Sequence, residues 1–289
     1  MKVWLVGKKS MLGRSLIDLL QQKEIDYLSS SKEEVDITSF SHVEKFVEEK
    51  DFTHIINCAA YTDVDQAEIN KELAFQVNVV GVDNLASVAE KNQLQVVHFS
   101  TDYVFDGKSQ EPLKEEDVLA PCNVYGDTKK QGEEKLLQKV PEAVIIRSSW
   151  LFGEGQKHFI AKILRKMQEE EEIFVVADQI GKPTVCDDLA KATISLLSSK
   201  GIFHFANAGE VSWYELALFI YNTAKKLGFS LKCKKIYPVK SYEFPSLARR
   251  PSYSVLNTQK IKKYLEISIN SWQQAVKEYM QQYFHSLWQ

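Results

Sequence analysis

Short apolar runs alternate with amphipathic stretches through the first half of the chain. Runs of this kind lie at 2–6, 26–28, 54–58, 96–99 and 144–146. Between them, apolar residues recur at helical spacing, as the leucines do within residues 11–22. Such runs are typical of buried parallel strands, and strands that alternate with helices form a sheet covered on both faces. The pattern therefore predicts an α/β fold with a Rossmann-type doubly wound parallel sheet.

The alternation loosens after Trp150. Helices are predicted at about 158–170, 187–197, 213–226 and 271–284, with strands at 173–176 and 202–205. Asn270 is placed to cap the start of the last helix. We therefore predict an NAD(P)-binding Rossmann domain over residues 1–150, with its sheet completed by segments within 173–206. Residues 151–289 are predicted to form a smaller C-terminal part that mainly binds substrate.

A glycine loop follows the first predicted strand. Gly7 and Gly13 flank Lys-Lys-Ser-Met-Leu, between that strand and the first helix. Glycines at this place allow a tight turn and let a pyrophosphate approach the helix N-terminus, where unpaired amides favour an anion. Ser10 stands where the middle glycine of the pattern is expected, so its hydroxyl is offered to phosphate while its backbone is more restricted.

The end of the second predicted strand bears on the choice of cofactor. An acidic residue there binds a ribose 2′-hydroxyl, whereas basic or small polar residues admit a 2′-phosphate. Here the corner includes Ser30 and Lys32 and holds no carboxylate. This favours NADPH, and because Glu33 and Glu34 follow at once, NADH is the alternative.

A tyrosine and a lysine are spaced four residues apart at Tyr125 and Lys129. In a helix this spacing puts both side chains on one face. A neighbouring ammonium favours the phenolate and lowers the tyrosine pKa, which would make the pair an acid–base group near neutral pH. A surface tyrosine beside a solvated lysine is the alternative.

Composition excludes several classes of function. Charged residues make up 26% of the chain and the net charge is -3, so no electrostatic attraction to nucleic acid or anionic membrane is expected. The longest apolar runs are too short to span a bilayer. The four cysteines lie far apart without zinc spacing, which predicts free thiols in a reducing cytoplasm and no structural zinc.

Further motifs carry a resemblance to a known family. They are Asn57-Cys58-Ala59-Ala60-Tyr61-Thr62 with Asp65 and Ala67-Glu68, Ser100-Thr101-Asp102-Tyr103-Val104-Phe105-Asp106-Gly107, Tyr125-x-x-x-Lys129, Arg147-Ser148-Ser149-Trp150, Asp178-Gln179-x-Gly181-x-Pro183-Thr184 and Arg250-Pro251-x-x-Ser254. In this order they closely resemble the dTDP-4-dehydrorhamnose reductases, which are extended short-chain dehydrogenase/reductases. The resemblance runs from Met1 to about Leu256.

The resemblance implies a role for each matching residue. Tyr125 would donate the proton to the substrate carbonyl, Lys129 would lower its pKa and hold the nicotinamide ribose, and Thr101 would bond the carbonyl oxygen or Tyr125. Implied cofactor contacts are Ser10, Met11 and Leu12 at pyrophosphate, Asp36 and Ile37 at adenine, and Ala60, Tyr61 and Thr62 near nicotinamide. Implied substrate contacts are Thr101, Asp102, Trp150 and Arg250. Core packing is the alternative for Trp150, and a turn anchor is the alternative for Arg250.

The implied reaction is NADPH-dependent reduction of the C4 keto group of dTDP-4-dehydro-L-rhamnose to dTDP-L-rhamnose, by a monomer or homodimer. Another nucleotide-linked 4-keto sugar is an alternative substrate. Related 4,6-dehydratases carry Asp-Glu after the threonine, and here Tyr103 follows Asp102, which disfavours water elimination. A non-catalytic regulatory subunit of methionine adenosyltransferase shares many of these motifs and is the rival from another class. Some family members join subunits through a metal bound by an acidic residue on the first helix; here that helix has Arg14 and Ser15, so no metal is predicted.

Overall fold

The computed structural model describes residues 1–48, 50–244, 246–265 and 268–282. Its strands are β1 (Lys2–Val6), β2 (Asp26–Ser30), β3 (His54–Asn57), β4 (Gln95–Thr101), β5 (Val144–Ser148), β6 (Leu151–Phe152), β7 (Glu172–Val176), β8 (Ile180–Gly181), β9 (Thr184–Val185), β10 (Gly201–His204), β11 (Val211–Ser212) and β12 (Lys235–Val239). Its helices are α1 (Met11–Gln22), α2 (Phe40–Val47), α3 (Val64–Ile69), α4 (Lys71–Phe75), α5 (Gly81–Asn92), α6 (Val124–Lys139), α7 (Phe159–Glu169), α8 (Cys186–Ser195), α9 (Trp213–Lys226) and α10 (Trp272–Gln282). A π-helical segment, Gln76–Val80, connects α4 to α5. No helix of these described ranges is long and apolar enough to cross a bilayer.

The central sheet has the strand order β2-β1-β3-β4-β5-β10, and every neighbouring pair is parallel. The chain winds outward from β1 in both directions, so the order reverses between β1 and β3. Ligands of such sheets bind outside the carboxyl ends of the strands at this reversal. The structure thus confirms the predicted α/β fold with a doubly wound parallel sheet.

Both faces of this sheet are covered because its central strands are apolar on both sides. One face packs Val3, Leu5 and Val97 against α1 and α8. The other packs Ile55 and Ile145 against α2, α5 and α6. Helices therefore cover the sheet on both faces.

The strands predicted within 173–206 divide between two sheets. Strand β10 pairs with β5 at the edge of the central sheet. Strand β7 instead pairs with β12 in a separate two-stranded parallel sheet. The apolar sequences of the two segments are alike, so the sequence pattern alone did not distinguish them.

The later segments form a second core, in which residues of α7, α9 and α10 pack together. Helix α9 begins with a capping box, since Ser212 and Glu215 each bond the backbone of the other. The predicted cap of the last helix was wrong. Ser271 Oγ accepts the Gln274 amide at 3.2 Å, while the Asn270 carbonyl accepts from Ala208. The end of that helix predicted beyond residue 282 lies outside the described residues.

Candidate active site

A cleft of about 510 Å³ opens at the carboxyl edge of the central sheet. Of the residues predicted from sequence, it is lined by Ser10, Met11, Leu12, Ala60, Thr62, Tyr125 and Lys129. A larger cavity of about 670 Å³ lies beside the far ends of α1 and α8, and none of the predicted residues lines it. The structure therefore gathers the glycine loop and the tyrosine–lysine pair around one cleft.

The glycine loop brings the N-terminus of α1 to this cleft. Gly7 has φ +85°, and a Cβ there would lie 2.9 Å from the Ala59 nitrogen, so a side chain cannot be accommodated. A Cβ on Gly13 would lie 2.5 Å from the Gly7 carbonyl oxygen. The two glycines thus keep strand, loop and helix in close contact, as an anion site at a helix start requires.

The Ser10 hydroxyl is used within the loop itself. It donates to the Gly7 carbonyl at 2.8 Å and accepts the Gly13 amide at 3.0 Å, which makes Ser10 the cap of α1. Of the first-turn amides, those of Met11 and Leu12 have no protein acceptor among the described residues. The loop thus leaves these two amides open, whereas the Ser10 hydroxyl proton is donated within the loop.

Helix α6 carries the tyrosine and lysine as the spacing predicted. Asn123 caps it by accepting the Gly126 amide at 2.8 Å. The Tyr125 ring packs edge-to-face on Tyr103, with centroids 5.9 Å apart. Both Tyr125 and Lys129 line the cleft, one turn apart.

The expected lowering of the tyrosine pKa by the lysine is not seen in this structure. Burial raises the pKa of Tyr125 to about 12, and a hydrogen bond with Thr101 only partly opposes the rise. The Lys129 amine instead donates to the Phe99 carbonyl at 2.6 Å and lies 3.2 Å from His98 Nε2. Burial lowers the pKa of Lys129 itself to about 8, opposed by Glu133. The four-residue spacing places Tyr125 and Lys129 on one face of α6. The Phe99 carbonyl and the His98 imidazole determine where the Lys129 amine points.

Thr101 is the last residue of β4 and Asp102 follows it, and both are buried. Thr101 Oγ1 donates to Asp102 Oδ1 at 3.1 Å. Burial raises the pKa of Asp102 to about 7, although hydrogen bonds from Ser254 and Thr101 oppose it. Asp102 is 2% exposed and does not line the cleft, so its predicted substrate contact stays a prediction.

Trp150 has a left-handed backbone with φ +49°, which is rare for a bulky residue and is found where surrounding packing enforces it. Its indole stacks on Trp213, with ring centroids 3.4 Å apart and planes 8° from parallel. A Cβ on Gly181 would lie 2.6 Å from the Trp150 ring. The core-packing alternative considered for Trp150 is therefore present in the structure, and the half-buried ring is held in one orientation.

Arg250 is anchored to helix α3 by a bidentate ion pair. Its Nη1 and Nη2 lie 3.1 and 2.6 Å from the two carboxylate oxygens of Asp65, which also accepts the Ala248 amide. Burial of the pair is partial. The contact ties the segment before Pro251 to α3, which is the anchoring alternative considered for Arg250.

At the end of β2, where the choice between NADPH and NADH was predicted to be made, Ser30 is not placed as predicted. The Ser30 hydroxyl is buried and accepts the Trp4 indole N–H at 2.9 Å, while its carbonyl accepts the amides of Gly7 and Lys8. Ser30 therefore stabilises the loop and does not present its hydroxyl to a ligand. Lys32 projects from the same corner and is exposed.

The predicted adenine and nicotinamide contacts flank the cleft. Asp36 is half-buried and accepts from the amide and hydroxyl of Thr38, while Ile37 is buried against α5. The Tyr61 amide donates to Asn78 Oδ1 at 2.9 Å, which fixes the segment containing Ala60 and Thr62. None of Asp36, Ile37 and Tyr61 lines the cleft itself.

Several polar groups of the cleft were not predicted from the sequence. Three cations line it, Lys9, Arg14 and Lys157, and so do the hydroxyl residues Ser100 and Ser148. Arg14 is fixed by bonds to the carbonyls of Lys9 and Glu154. The two serines lie at the ends of β4 and β5, and strand ends were the signal that could have identified them. No group of three or more His, Cys, Asp or Glu in the described part of the chain could hold a metal ion.

Comparison with known proteins identifies close relatives. The family model described as RmlD substrate binding domain matches residues 1–285. A dTDP-4-dehydrorhamnose reductase from Aggregatibacter actinomycetemcomitans is 36% identical over 285 residues, 96% of this chain and 97% of the relative. A dTDP-4-keto-6-deoxy-D-glucose reductase from Streptomyces niveus is 38% identical over 257 residues, 88% of each chain.

A solved structure gives the same picture. The dTDP-4-dehydrorhamnose reductase of Bacillus anthracis, crystallised in complex with NADP, superimposes with a TM-score of 0.91 at 35% identity. The match covers 97% of this chain and 99% of that chain. The similarity therefore includes the sheet, the cleft and the second core.

Proposed function

The chain belongs to the RmlD substrate binding domain family, and from this premise we propose that it is a dTDP-4-dehydrorhamnose reductase. It is an NAD(P)H-dependent oxidoreductase that reduces the C4 keto group of dTDP-4-dehydro-L-rhamnose to give dTDP-L-rhamnose, with NADPH as cofactor. The observation that carries this proposal is the single cleft shared by the glycine loop, Tyr125 and Lys129.

The cleft fits a dinucleotide at its phosphate end. The open amides of Met11 and Leu12 lie at the start of α1, and Lys9 and Arg14 stand beside them. Amides at a helix N-terminus together with cations are suited to a pyrophosphate. We propose that these residues hold the pyrophosphate, and that Gly7 and Gly13 keep the loop and the start of α1 in the position that this requires.

The remaining contacts are proposed from the family. Those that do not line the cleft are Lys32, Asp36, Ile37, Tyr61, Thr101, Asp102, Trp150 and Arg250. Cofactor contacts proposed from the family are Ser10, Lys32, Asp36, Ile37, Ala60, Tyr61, Thr62, Tyr125 and Lys129. Substrate contacts proposed from the family are Thr101, Asp102, Trp150 and Arg250. Arg250 is paired with Asp65 in this structure, so a direct contact with the substrate requires its side chain to rearrange. Without that rearrangement, Arg250 acts on the substrate only by positioning the 246–254 segment.

The chemistry assigned to the chain is orientation and proton supply. NADPH, when bound, supplies the hydride. Tyr125 donates its hydroxyl proton to the substrate oxygen, because its raised pKa keeps it protonated at neutral pH. Thr101, hydrogen-bonded to Tyr125, orients that hydroxyl. In its ammonium form, Lys129 is proposed from the family to hold the nicotinamide ribose by donating hydrogen bonds to it.

The wider organisation is proposed on the same basis. Residues 1–150 with β10 bind the cofactor, and residues 151–289 mainly bind the sugar nucleotide. All four cysteines are free thiols in the described structure, which is consistent with a reducing cytoplasm. We propose that the enzyme acts there, as a monomer or homodimer.

A direct assay tests the proposal. Purified protein is mixed with NADPH and enzymatically prepared dTDP-4-dehydro-L-rhamnose, and both cofactor oxidation and dTDP-L-rhamnose formation are followed. Stoichiometric formation of both products is expected. Absence of turnover at saturating substrate, together with tight binding to a methionine adenosyltransferase, would favour the regulatory alternative instead.

A second substrate is worth testing in parallel. The Streptomyces niveus relative is named for reduction of dTDP-4-keto-6-deoxy-D-glucose, and it is 38% identical to this chain. The two ketones differ in the stereochemistry of the hexose ring. Comparing kcat/KM for the two with the same enzyme preparation identifies the preferred epimer, because kcat/KM measures discrimination between competing substrates.

Lys32→Ala is expected to reduce the preference for NADPH over NADH about tenfold, because it removes a charge-assisted contact with the 2′-phosphate. We expect the lower end of the range that a charge-assisted contact contributes to cofactor preference, because Lys32 is exposed to solvent. Titration of both cofactors measures the effect. Lys200→Ala is the matched control, an exposed lysine paired with Glu142 at the opposite edge of the sheet. An unchanged preference in Lys32→Ala would show that this lysine does not contact the 2′-phosphate.

Trp150→Phe is expected to raise KM and lower kcat, for a combined loss of roughly tenfold in kcat/KM. Phenylalanine keeps an aromatic face against Trp213 but removes the indole N–H and part of the surface available to the sugar. Steady-state kinetics measures the effect. Trp272→Phe, a tryptophan buried in the second core, is expected to lower the Tm with little change in kcat/KM. If both variants behave alike, Trp150 serves packing alone.

A further inference from the structure

A buried histidine that the proposed mechanism does not use contacts the predicted catalytic lysine. His98 lies on β4 opposite Asn57 of β3, and both side chains are 1% exposed. His98 Nδ1 lies 3.1 Å from Asn57 Nδ2, and His98 Nε2 lies 3.2 Å from Lys129 Nζ. The three side chains thus form a continuous chain of contacts from β3 to α6, shielded from water.

The direction of this chain is fixed at its first member. The Ala59 amide donates to Asn57 Oδ1 at 3.0 Å. Reversing the Asn57 amide would place two N–H donors against each other, so its Nδ2 must face His98. His98 Nδ1 then accepts a hydrogen bond and carries no proton. A neutral imidazole in this state has its proton on Nε2, directed at Lys129.

This direction has a consequence for the lysine. An ammonium has three N–H donors and no acceptor, so it cannot accept the His98 Nε2–H. A neutral amine can accept that proton while donating to the Phe99 carbonyl, 2.6 Å away. The position of the donor therefore favours the neutral form of Lys129.

We propose that Asn57 and His98 form a directed hydrogen-bond chain that ends on Lys129 and stabilises its neutral amine. His98 is a positioning residue, since it acts through Lys129 and does not line the cleft. The inference rests on the proposed function only in assigning Lys129 a role in the reduction. The effect of the hydrogen-bond chain is that Lys129 gains and loses its charge within the pH range in which an enzyme works.

The groups around Lys129 are compatible with a balance between its ammonium and neutral forms. Burial lowers the pKa of Lys129 to about 8 and, with the charge of Lys129, holds the pKa of His98 well below its usual range. Glu133, one turn further along α6, favours the ammonium, but its carboxylate is bound by Arg147 of β5 at 2.6 and 2.9 Å. The β5 residue opposite His98 is the apolar Ile145. Tyr125 is the titratable group one turn before Lys129.

Asn57→Asp is designed to reverse the chain. A carboxylate accepts from both the Ala59 amide and His98 Nδ1, so the imidazole proton moves to Nδ1 and Nε2 becomes an acceptor for the ammonium. The expected result is a change of the His98 tautomer, read from the ¹⁵N shifts of histidine-labelled full-length protein at a pH above about 8. The His98 signal is assigned by its loss in His98→Gln, among the six histidines of the chain.

The same variant has a kinetic signature. Activity that requires charged Lys129 falls as the pH rises through its pKa. Stabilising the ammonium should move this falling limb of kcat/KM upward by at least about one pH unit, the scale of one charge-assisted hydrogen bond. Asn92→Asp, which adds the same charge at the end of α5, is the matched control and should shift neither the tautomer nor the limb.

The outcomes separate this proposal from the proposed function. A wild-type His98 protonated on Nδ1 overturns the chain, as does an Asn57→Asp variant with the wild-type tautomer and an unmoved limb. If Asn57→Asp does not fold, the wild-type tautomer decides alone. If the tautomers are as expected but no 4-keto sugar nucleotide is reduced, the chain stands and the proposed function fails.

Discussion

Replacing Tyr125 by phenylalanine is expected to lower kcat by about 10²–10⁴-fold, the usual contribution of a positioned general acid. The ring keeps its edge-to-face contact with Tyr103, so the fold and the cofactor site should be preserved. What is lost is the hydroxyl that Thr101 holds at the cleft. Because proton donation occurs in the transition state, the loss should appear in kcat more than in KM.

Two measurements make this result interpretable. Fluorescence titration with NADPH should give a Kd for Tyr125→Phe close to that of wild type. Tyr27→Phe, which removes an exposed hydroxyl bonded to Gln21, is the matched control and should retain full turnover. Wild-type kcat in Tyr125→Phe would remove this tyrosine from the mechanism.

Arg147→Met is expected to lower the free energy of unfolding by about 3–5 kcal/mol, the cost of leaving one member of a buried ion pair uncompensated. Arg147 and Glu133 are 1% and 2% exposed and are joined by two hydrogen bonds. Arg147 also donates to the Glu115 carbonyl, and its guanidinium lies 5.3 Å from the centre of the Phe105 ring. Removing the guanidinium leaves the Glu133 carboxylate buried without its charged partner, which is why the cost is large.

Chemical denaturation measures this loss. Glu142→Gln breaks the exposed Lys200–Glu142 pair and should cost less than about 1 kcal/mol. Combining Arg147→Met with Glu133→Leu should recover part of the stability, because no charge is then left buried. An Arg147→Met variant as stable as Glu142→Gln would contradict this account of the pair.

The features that the sequence predicted well depend on short-range pattern. Apolar runs identified the strands of the sheet, and the four-residue spacing placed Tyr125 and Lys129 on one face of α6. The glycine loop was identified because Gly7 and Gly13 act within a few residues of each other. Each of these inferences needs only local geometry and the rule that parallel strands share one carboxyl edge.

The features that could not be predicted from the sequence depend on contacts between distant residues. Ser30 is engaged by Trp4, and Arg250 by Asp65, 185 residues away in sequence. Asp102 is buried because the later segment with Ser254 packs over it. No periodicity encodes which partner a polar side chain finds across the fold.

The lysine illustrates the same limit within the site. Spacing predicted that Lys129 would act on Tyr125, but the direction of its amine is set by Phe99 and His98 on β4. Two side chains on one helical face share a direction only as far as Cβ. Beyond Cβ, the direction of the Lys129 amine is determined by its partners on β4.

The measurement that tests the central claim most directly is the destination of the hydride. The enzyme is supplied with dTDP-4-dehydro-L-rhamnose and NADPH carrying deuterium at the transferred position, and the product is analysed by NMR. We predict dTDP-L-rhamnose with one deuterium, bonded to C4 of the hexose. A product without deuterium at C4, or oxidation of NADPH without a reduced sugar, would contradict the assignment of this chain as a C4 ketoreductase.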